Sequence, residues 1–170
     1  MEFFTLINTR RSVRIFRDDP VSDEIIQKIL GAARIAPSAG NIQPYEFRII
    51  RDDNTKVELA KAALGQGFIA KAPVVLVFCE DSRRAEIIYG KRGTSLYVHQ
   101  DTAIAATLAH LAVADLGLGS CWVGAFDSYA VARILSLRSG LTPVVILPVG
   151  YPGETPLASP RREMSELIPV

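Results

Sequence analysis

The chain has 170 residues, of which 49% are hydrophobic and 22% are charged. This composition is typical of one globular domain with its own core, and it excludes a disordered chain. The net charge of +1 argues against a protein that binds nucleic acid through bulk charge, so we expect no nucleic-acid partner.

The cysteines and the N-terminus bear on the compartment. Cys79 and Cys121 both fall in apolar runs that predict strands, which favours two buried free thiols over a disulfide or a metal site. Glu2 follows Met1 at once and no apolar segment comes after it. We therefore expect no signal peptide and a cytoplasmic protein.

The first half of the chain predicts helices that alternate with strands. Ser22 is the expected N-cap of an amphipathic helix, with Asp23 and Glu24 in its first turn, where negative charge suits the helix dipole. The run over 73–79 is apolar throughout, which is typical of a central strand buried on both faces. The predicted elements are a helix over 2–9, an extended segment over 10–16, a helix from Ser22 to about 36, a loop over 37–44, a strand over 45–51, a helix over 54–64, a helical turn over 68–72 and a strand over 73–79.

The second half is organised around a long apolar helix over 96–116. Its many alanines favour a helix, and apolar residues on almost every face indicate a buried helix, part of which faces a second subunit. Polar residues such as Gln100 and Asp101 argue against a membrane span, so we expect no membrane partner. The other predicted elements are a helix over 82–88, a mobile basic loop over 89–93 that borders a pocket, a strand over 121–123, a helix over 128–135 capped by Asp127 and a strand over 142–149.

Helices alternating with about four strands predict a mixed α/β (α+β) fold in a single domain over 1–170. The last stretch, 151–170, is rich in proline and contains little core material. A tail of this length is either mobile or held by something outside the domain. No glycine loop follows a strand, so the sequence contains no dinucleotide-binding fingerprint.

A basic segment near the N-terminus is a candidate anion site. If residues 10–16 are extended, Arg10, Ser12 and Arg14 fall on one face, because strand side chains alternate. Guanidinium groups bind phosphate in bidentate fashion. A solvated basic turn accounts for the same spacing equally well, so both interpretations stay open at this point.

Two further polar features have simple interpretations. The loop over 37–44 contains Ser38, Asn41 and Gln43, whose side chains suit a heterocycle or a sugar, although an ordinary helix-to-strand connection also explains them. His99 and His110 are three turns apart on one predicted helix, too far to share a metal ion. We interpret both histidines as structural and expect no metal site.

Four separated segments together resemble the flavin-dependent nitroreductase family of NAD(P)H oxidoreductases. Their order and spacing match that family along essentially the whole chain. The segments are RRSVRIF over 10–16, PSAGNIQP over 37–44, GLGSCWVGAF over 117–126 and the tail arginines Arg161 and Arg162.

The resemblance implies a three-layer fold with a central, mostly antiparallel sheet flanked by helices. It also implies a homodimer with two FMN sites at its interface, and a tail over 151–170 that wraps the partner subunit. The implied enzyme passes hydride from NADH or NADPH through FMN to a nitroaromatic, quinone or flavin-like acceptor in a ping-pong reaction. No side chain is expected to act as a catalytic acid or base, because flavin N5 carries the chemistry.

The resemblance also implies which residues bind FMN. Residues 10–14 would hold the phosphate, the ribityl chain and the pyrimidine edge, and residues 37–41 would reach the flavin of the partner subunit. Residues 121–124 would lie along the isoalloxazine ring, with a backbone amide near N5. The implied FMN-binding residues are Arg10, Arg11, Ser12, Arg14, Pro37, Ser38, Asn41, Gln66, Trp122, Val123, Gly124, Arg161 and Arg162.

The chain departs from the family pattern at three points. Val123 stands where many members have Glu before the glycine, and Tyr45 stands where many have Trp after Gln-Pro. The usual tail lysine is absent, with Pro160 nearby. The first two departures bear on the substrate, and two alternatives stay open: a specialised flavin enzyme of the same fold, such as a dehalogenase or flavin-cleaving oxygenase, and a non-enzymatic flavin-binding protein.

Overall fold

A four-stranded sheet organises the molecule. In the computed structural model, which describes residues 1–168, the strands lie in the order β1-β2-β4-β3 and every neighbouring pair is antiparallel. This confirms the predicted mixed fold with a mostly antiparallel sheet. The strands are β1 (Tyr45–Ile50), β2 (Val74–Asp81), β3 (Gly119–Ser120) and β4 (Leu141–Gly150). Pro169 and Val170, the last residues of the predicted tail, lie outside the described residues.

The predicted helices are present, with bounds shifted by a few residues. They are α1 (Phe3–Thr9), α2 (Asp23–Arg34), α3 (Asp53–Ala62), α4 (Phe68–Lys71), α5 (Ser82–Arg92), α6 (Val98–Asp115) and α7 (Ser128–Ile134). A short helix that the sequence did not predict, α8 (Met164–Leu167), lies in the tail. A 3₁₀ turn covers Ala39–Asn41, and a π-helical turn over Gly93–Tyr97 joins α5 to α6. Within residues 1–168, no helix is long and apolar enough to cross a membrane.

The two faces of the sheet are covered by different helices. Side chains of a strand alternate between faces, so Leu76 and Phe78 pack with α2 and α6, whereas Val75 and Val77 pack with α3, α4 and α7. Every residue of β2 is buried, as its continuous apolar run predicts. The result is a helix–sheet–helix arrangement of three layers.

Side-chain caps fix where two of the helices begin. The Ile25 amide donates to the Ser22 hydroxyl oxygen at 3.4 Å, and the amides of Tyr129 and Ala130 both donate to Asp127 at 3.0 Å. These bonds satisfy amides that have no partner inside the helix. Both predicted caps are confirmed.

The predicted strand over 121–123 is wrong in its bounds. Strand β3 ends before Cys121, and Val123 makes only an isolated bridge to Ile146. This bridge keeps the β3–β4 register, in which Cys121 faces Pro148. Because proline has no amide hydrogen to donate, the ladder is interrupted at this point.

The predicted mobile loop over 89–93 is also wrong. Helix α5 runs to Arg92, and the π-helical turn follows directly from Gly93. Gly90 adopts a positive φ of 51° within this stretch, so the chain bends and then resumes its helical course. A side chain at Gly93 would meet the carbonyl group of Ala85, which shows how closely the turn packs against α5.

Candidate functional site

Side chains from the N-terminal segment and the tail surround a cavity of about 400 Å³, which we call the arginine cavity. Among the described residues, no acidic side chain lines it. Its polar lining residues are Asn8, Arg10, Arg11, Ser12, Arg14, Ser159 and Arg161. Several guanidinium groups and hydroxyls around one space suit an anion with several oxygen atoms, such as a phosphate ester.

The positive charge of the arginine cavity is not neutralised within residues 1–168. No ion pair there involves Arg10, Arg14 or Arg161. Burial lowers the pKa of Arg10, and the neighbouring charge of Arg161 lowers it further. Arg11 differs, because its guanidinium donates to the carbonyl oxygen of Asn8 at 2.7 Å and so caps the end of α1.

The edge of the sheet directs the arginine side chains into the cavity. The Val13 amide donates to the carbonyl oxygen of Ser120 at 3.0 Å, which holds residues 10–14 extended beside β3. Gly119 permits this approach, since a Cβ there would lie 2.8 Å from side-chain atoms of Val13. The structure therefore brings Arg10, Arg11, Ser12 and Arg14 together around one space.

The start of the tail holds this segment from its other side. The amides of Arg14 and Ile15 donate to one carboxylate oxygen of Glu154, at 2.6 and 3.0 Å, and the Gly153 amide donates to the Ile15 carbonyl oxygen at 2.8 Å. Beyond Glu154 the tail has little cover, and Leu157 is 92% exposed. Up to residue 168, the backbone hydrogen bonds that tie the tail to the N-terminal segment lie at its beginning.

Val123 and Gly124 differ in what their amides can do. Val123 is buried, and both its amide and its carbonyl oxygen are hydrogen-bonded to Ile146 at 3.0 Å. Its amide is therefore engaged in the sheet, which leaves the exposed Gly124 as the candidate backbone donor to a ligand. Trp122 beside them is 36% exposed and has its ring 6.4 Å from that of His110.

Gln66 reaches the same region from the other side of the sheet. Its Nε2 donates to the carbonyl oxygens of Ala63 at 2.9 Å and Ala125 at 3.1 Å. The Phe68 ring, two residues later, lies 5.8 Å from the guanidinium carbon of Arg14. The structure therefore bonds Gln66 to the segment after β3, and it places Phe68 beside the arginine segment.

A second cavity of about 600 Å³ lies elsewhere on the chain, and we call it the loop cavity. The predicted residues Pro37 and Ser38 line it, whereas Asn41 lies in the same loop but outside the lining. The lining residues are Pro37, Ser38, Ala39, Tyr97, Gln100, Asp101, Ala103 and Ile104. It shares no lining residue with the arginine cavity, so one chain does not bring the two groups of predicted residues together.

The tail arginines also differ from each other. Arg161 lines the arginine cavity. Arg162 does not, because its guanidinium donates to the carboxylate of Glu166 at 3.0 Å and to the carbonyl oxygen of that residue at 2.8 Å. In the described chain, Arg162 therefore holds α8 and Arg161 carries free charge into the site.

His110 has a position that the sequence reasoning missed. It is 8% exposed, and within residues 1–168 its Nε2 has no hydrogen-bond partner. Burial, together with the charge of Arg10, lowers the pKa of His110 to about 4. A neutral imidazole therefore lies beneath Trp122. The signal in the sequence was a polar residue between the apolar residues Ala109 and Leu111.

Other reactive groups are inert at neutral pH or absent from the site. Cys79 and Cys121 are free and buried. Burial raises the pKa of Cys79 to about 12 and raises that of Cys121, so both thiols stay protonated. Residues 1–168 contain no group of three or more His, Cys, Asp or Glu arranged to hold a metal ion.

Comparison with known proteins identifies related chains. A family model described as "Nitroreductase family" matches residues 7–67 and 64–151. The FMN reductase [NAD(P)H] of Bacillus subtilis is 30% identical over 173 residues, which cover 94% of this chain and 70% of that protein. The oxygen-insensitive NADPH nitroreductase of Salmonella typhimurium is 30% identical over 163 residues, covering 92% and 68%. The solved structure of B. megaterium NfrA2 superposes with a TM-score of 0.91 at 29% identity, covering 97% and 72%.

Proposed function

The chain belongs to the nitroreductase family and is an enzyme of the NAD(P)H nitroreductase type, and from this premise we propose that it works with bound FMN. In this proposal it takes hydride from NADH or NADPH and delivers it to a nitroaromatic, quinone or flavin-like acceptor in a ping-pong reaction. FMN, when bound, supplies the N5 atom that accepts the hydride.

The observation that carries the proposal is the arginine cavity. It presents Arg10, Arg14 and Arg161 without acidic partners among the described residues. Burial lowers the pKa of Arg10, and repulsion from the guanidinium groups of Arg161 and Arg11 lowers it further. A bound phosphate would relieve that repulsion, so the donors present fit the phosphate end of FMN.

The residues of this chain would divide the work of binding. Arg10, Arg14 and Arg161 would hold the phosphate, and Ser12 would bond a hydroxyl of the ribityl chain. The backbone amide of the exposed Gly124 would donate to the flavin ring. The Val123 amide cannot do so, because it already donates to Ile146.

We further propose a homodimer in which a second subunit completes each site. This is supported by the two cavities, which share no lining residue, and by the tail beyond Glu154, which has little cover on its own chain. Exposed apolar side chains support it as well, since Leu157 is 92% exposed and Ile104 in the loop cavity is 39% exposed. In this arrangement Pro37, Ser38 and Asn41 would reach the FMN of the other subunit, whereas Arg162 would stay bonded to Glu166.

Reduction of the reconstituted protein tests the proposed function. Apo-protein is loaded with FMN, freed of excess cofactor and mixed with NADH or NADPH under nitrogen. We expect the visible flavin absorption to bleach with at least one of the two nucleotides and to return when a quinone or nitroaromatic is added. Protein that retains no FMN, or bound FMN that neither nucleotide bleaches, would overturn the proposal.

The dimer has its own test, because a family member without a second subunit would have an incomplete site. Sedimentation of the FMN-loaded protein should show a dimer across dilution, as expected for an obligate, strongly apolar interface larger than a transient one. A stable monomer that retains FMN would contradict the proposed dimer, and it would leave the proposal of an FMN site unaffected.

A further inference from the structure

We propose that Asp101 and Gln43 are positioning residues that hold the loop over 37–43 in a strained form. In this form the side-chain amide of Asn41 would donate from Nδ2 to FMN bound by the second subunit. The inference rests on the proposed function. It assigns a positioning role to two residues that are not among the implied FMN-binding residues.

The loop is strained where it would meet a ligand. Gly40, Asn41 and Gln43 have φ values of 55°, 56° and 46°. Residues other than glycine rarely adopt this left-handed region, so Asn41 and Gln43 are the two strained positions of the loop. Strain of this kind persists only when surrounding contacts determine the conformation.

Asp101 supplies one of these contacts from the central helix. The Ala39 amide donates to both carboxylate oxygens of Asp101, at 3.1 and 3.2 Å. Asp101 is only 4% exposed, and within residues 1–168 no cation pairs with it. Burying a carboxylate costs free energy. Here the hydrogen bonds from the Ala39 amide offset part of that cost.

Gln43 orients the side chain that would meet the ligand. Its Nε2 donates to Oδ1 of Asn41 at 2.6 Å and to the Asn41 carbonyl oxygen at 3.0 Å, while its own amide donates to the Ser38 hydroxyl oxygen at 3.0 Å. The bond to Oδ1 fixes the orientation of the Asn41 side-chain amide, whose Nδ2 carries two N–H donors. The loop therefore offers a donor, which suits an oxygen or nitrogen acceptor of FMN.

Substitution of Asp101 tests the first contact. Asp101→Leu removes both accepting oxygens and keeps the number and branching of the side-chain heavy atoms, so we expect FMN to bind the dimer about tenfold more weakly or worse. Asp101→Asn keeps one accepting oxygen and should bind FMN within about threefold of the unaltered chain. Asp115→Leu, an exposed carboxylate on the same helix, is the control and should leave FMN affinity unchanged.

Gln43→Leu gives a second variant that does not alter the helix. It should weaken FMN binding about three- to tenfold by releasing the Asn41 side chain, while dimer content and melting temperature stay near those of the unaltered chain. Equal FMN affinity in Asp101→Leu, Gln43→Leu and the unaltered chain would overturn the inference. Equal loss in Asp101→Leu and Asp101→Asn would overturn it as well, because the accepting oxygen would then have no role.

Heterodimers show which subunit the loop serves. Chains with Arg10→Ala and chains with Asp101→Leu are co-expressed under different tags, and the mixed dimer is purified. If the loop acts across the interface, one site carries both changes and the other carries neither, so about half of the sites should bind FMN with the original affinity. If Asp101→Leu does not fold, Gln43→Leu takes its place.

The outcomes of this experiment separate the two claims. Recovery of half the sites supports the inference. Absence of any recovered site, while each unaltered dimer binds FMN, overturns the inference and leaves the proposed function intact. An unaltered dimer that binds no FMN overturns the proposed function and the inference with it.

Discussion

The arginine cavity and the loop cavity are built in opposite ways. Around the arginine cavity, strong donors such as Arg10 and Arg161 have no acidic partners among residues 1–168. Beside the loop cavity, Asp101 accepts from the Ala39 amide, Ser38 accepts from the Gln43 amide and Gln43 donates to Oδ1 of Asn41, while Asn41 and Gln43 have positive φ values. The arginine cavity therefore has donors without partners, whereas the loop over 37–43 has a conformation fixed by its own hydrogen bonds.

This difference indicates how the two regions would share a ligand. Unpaired positive charge gives affinity for an anion but does little to orient it. A donor that is already held in place orients the ligand, and little conformational entropy is lost on binding. Helix α6 supports both regions with one buried titratable group each. His110 lies under the arginine side as a neutral base, and burial raises the pKa of Asp101 on the loop side.

The largest expected effect comes from removing one donor of the arginine cavity. Arg10→Ala deletes a charge-assisted contact worth about 1.5–3 kcal/mol, so FMN affinity should fall about ten- to a hundredfold. Fluorescence quenching of FMN by apo-protein measures the change. The fold should survive, because the substitution empties no core position.

Arg17→Ala is the matched control for that experiment. Arg17 lies just beyond the cavity, where it pairs with Asp19 at 3.0 Å and contacts the Tyr151 ring. FMN affinity should therefore stay within about twofold of the unaltered chain. Similar FMN affinities for Arg10→Ala and the unaltered chain would show that the basic segment is a solvated turn. The contrast between the two cavities would then be wrong.

The next effect concerns pH and the buried imidazole. The pKa of His110 is about 4 in the folded chain and about 6.5 when unfolded. Above pH 6.5 both states are neutral, so stability is undiminished. As the pH falls from 6.5 towards 4, only the unfolded state takes up the proton and stability declines.

His110→Leu should remove this part of the pH dependence. Between pH 7 and pH 5 the unaltered chain should lose roughly 2 kcal/mol more unfolding free energy than the variant, measured by urea denaturation at both pH values. Identical losses in the two proteins would show that the imidazole beneath Trp122 titrates normally, and the account of that side of α6 would be wrong.

The smallest expected effect separates the two tail arginines. Arg161→Ala should weaken FMN binding about three- to tenfold, because Arg161 lines the arginine cavity. Arg162→Ala should change it less than about twofold, since Arg162 is bonded to Glu166. A larger loss from Arg162→Ala would show that the tail rearranges when the second subunit and FMN are present.

Much of the fold could be predicted because its signals are local. The caps at Ser22 and Asp127 and the apolar run of β2 each follow from a few neighbouring residues. The strand over 121–123 failed for a non-local reason, since the interruption comes from Pro148 on another strand. The glycines Gly90 and Gly93 predict a loop, yet packing against α5 keeps that stretch helical.

In the candidate site too, local features could be predicted from the sequence and long-range contacts could not. The alternation of Arg10, Ser12 and Arg14 needed only an extended backbone, and the structure brings all of them to one cavity. The contact between Asp101 and the Ala39 amide joins residues 62 positions apart, so no spacing rule could have found it. The residues 37–41 and the arginine cavity meet, in the proposed dimer, only across two chains.

The most direct test of the central claim compares FMN with riboflavin, which lacks the phosphate. Binding of both ligands is titrated for the unaltered chain and for Arg10→Ala. If the arginine cavity holds the phosphate, Arg10→Ala should weaken FMN binding about tenfold or more and leave riboflavin within about twofold. An equal loss for both ligands, or no preference for FMN in the unaltered chain, would contradict the account.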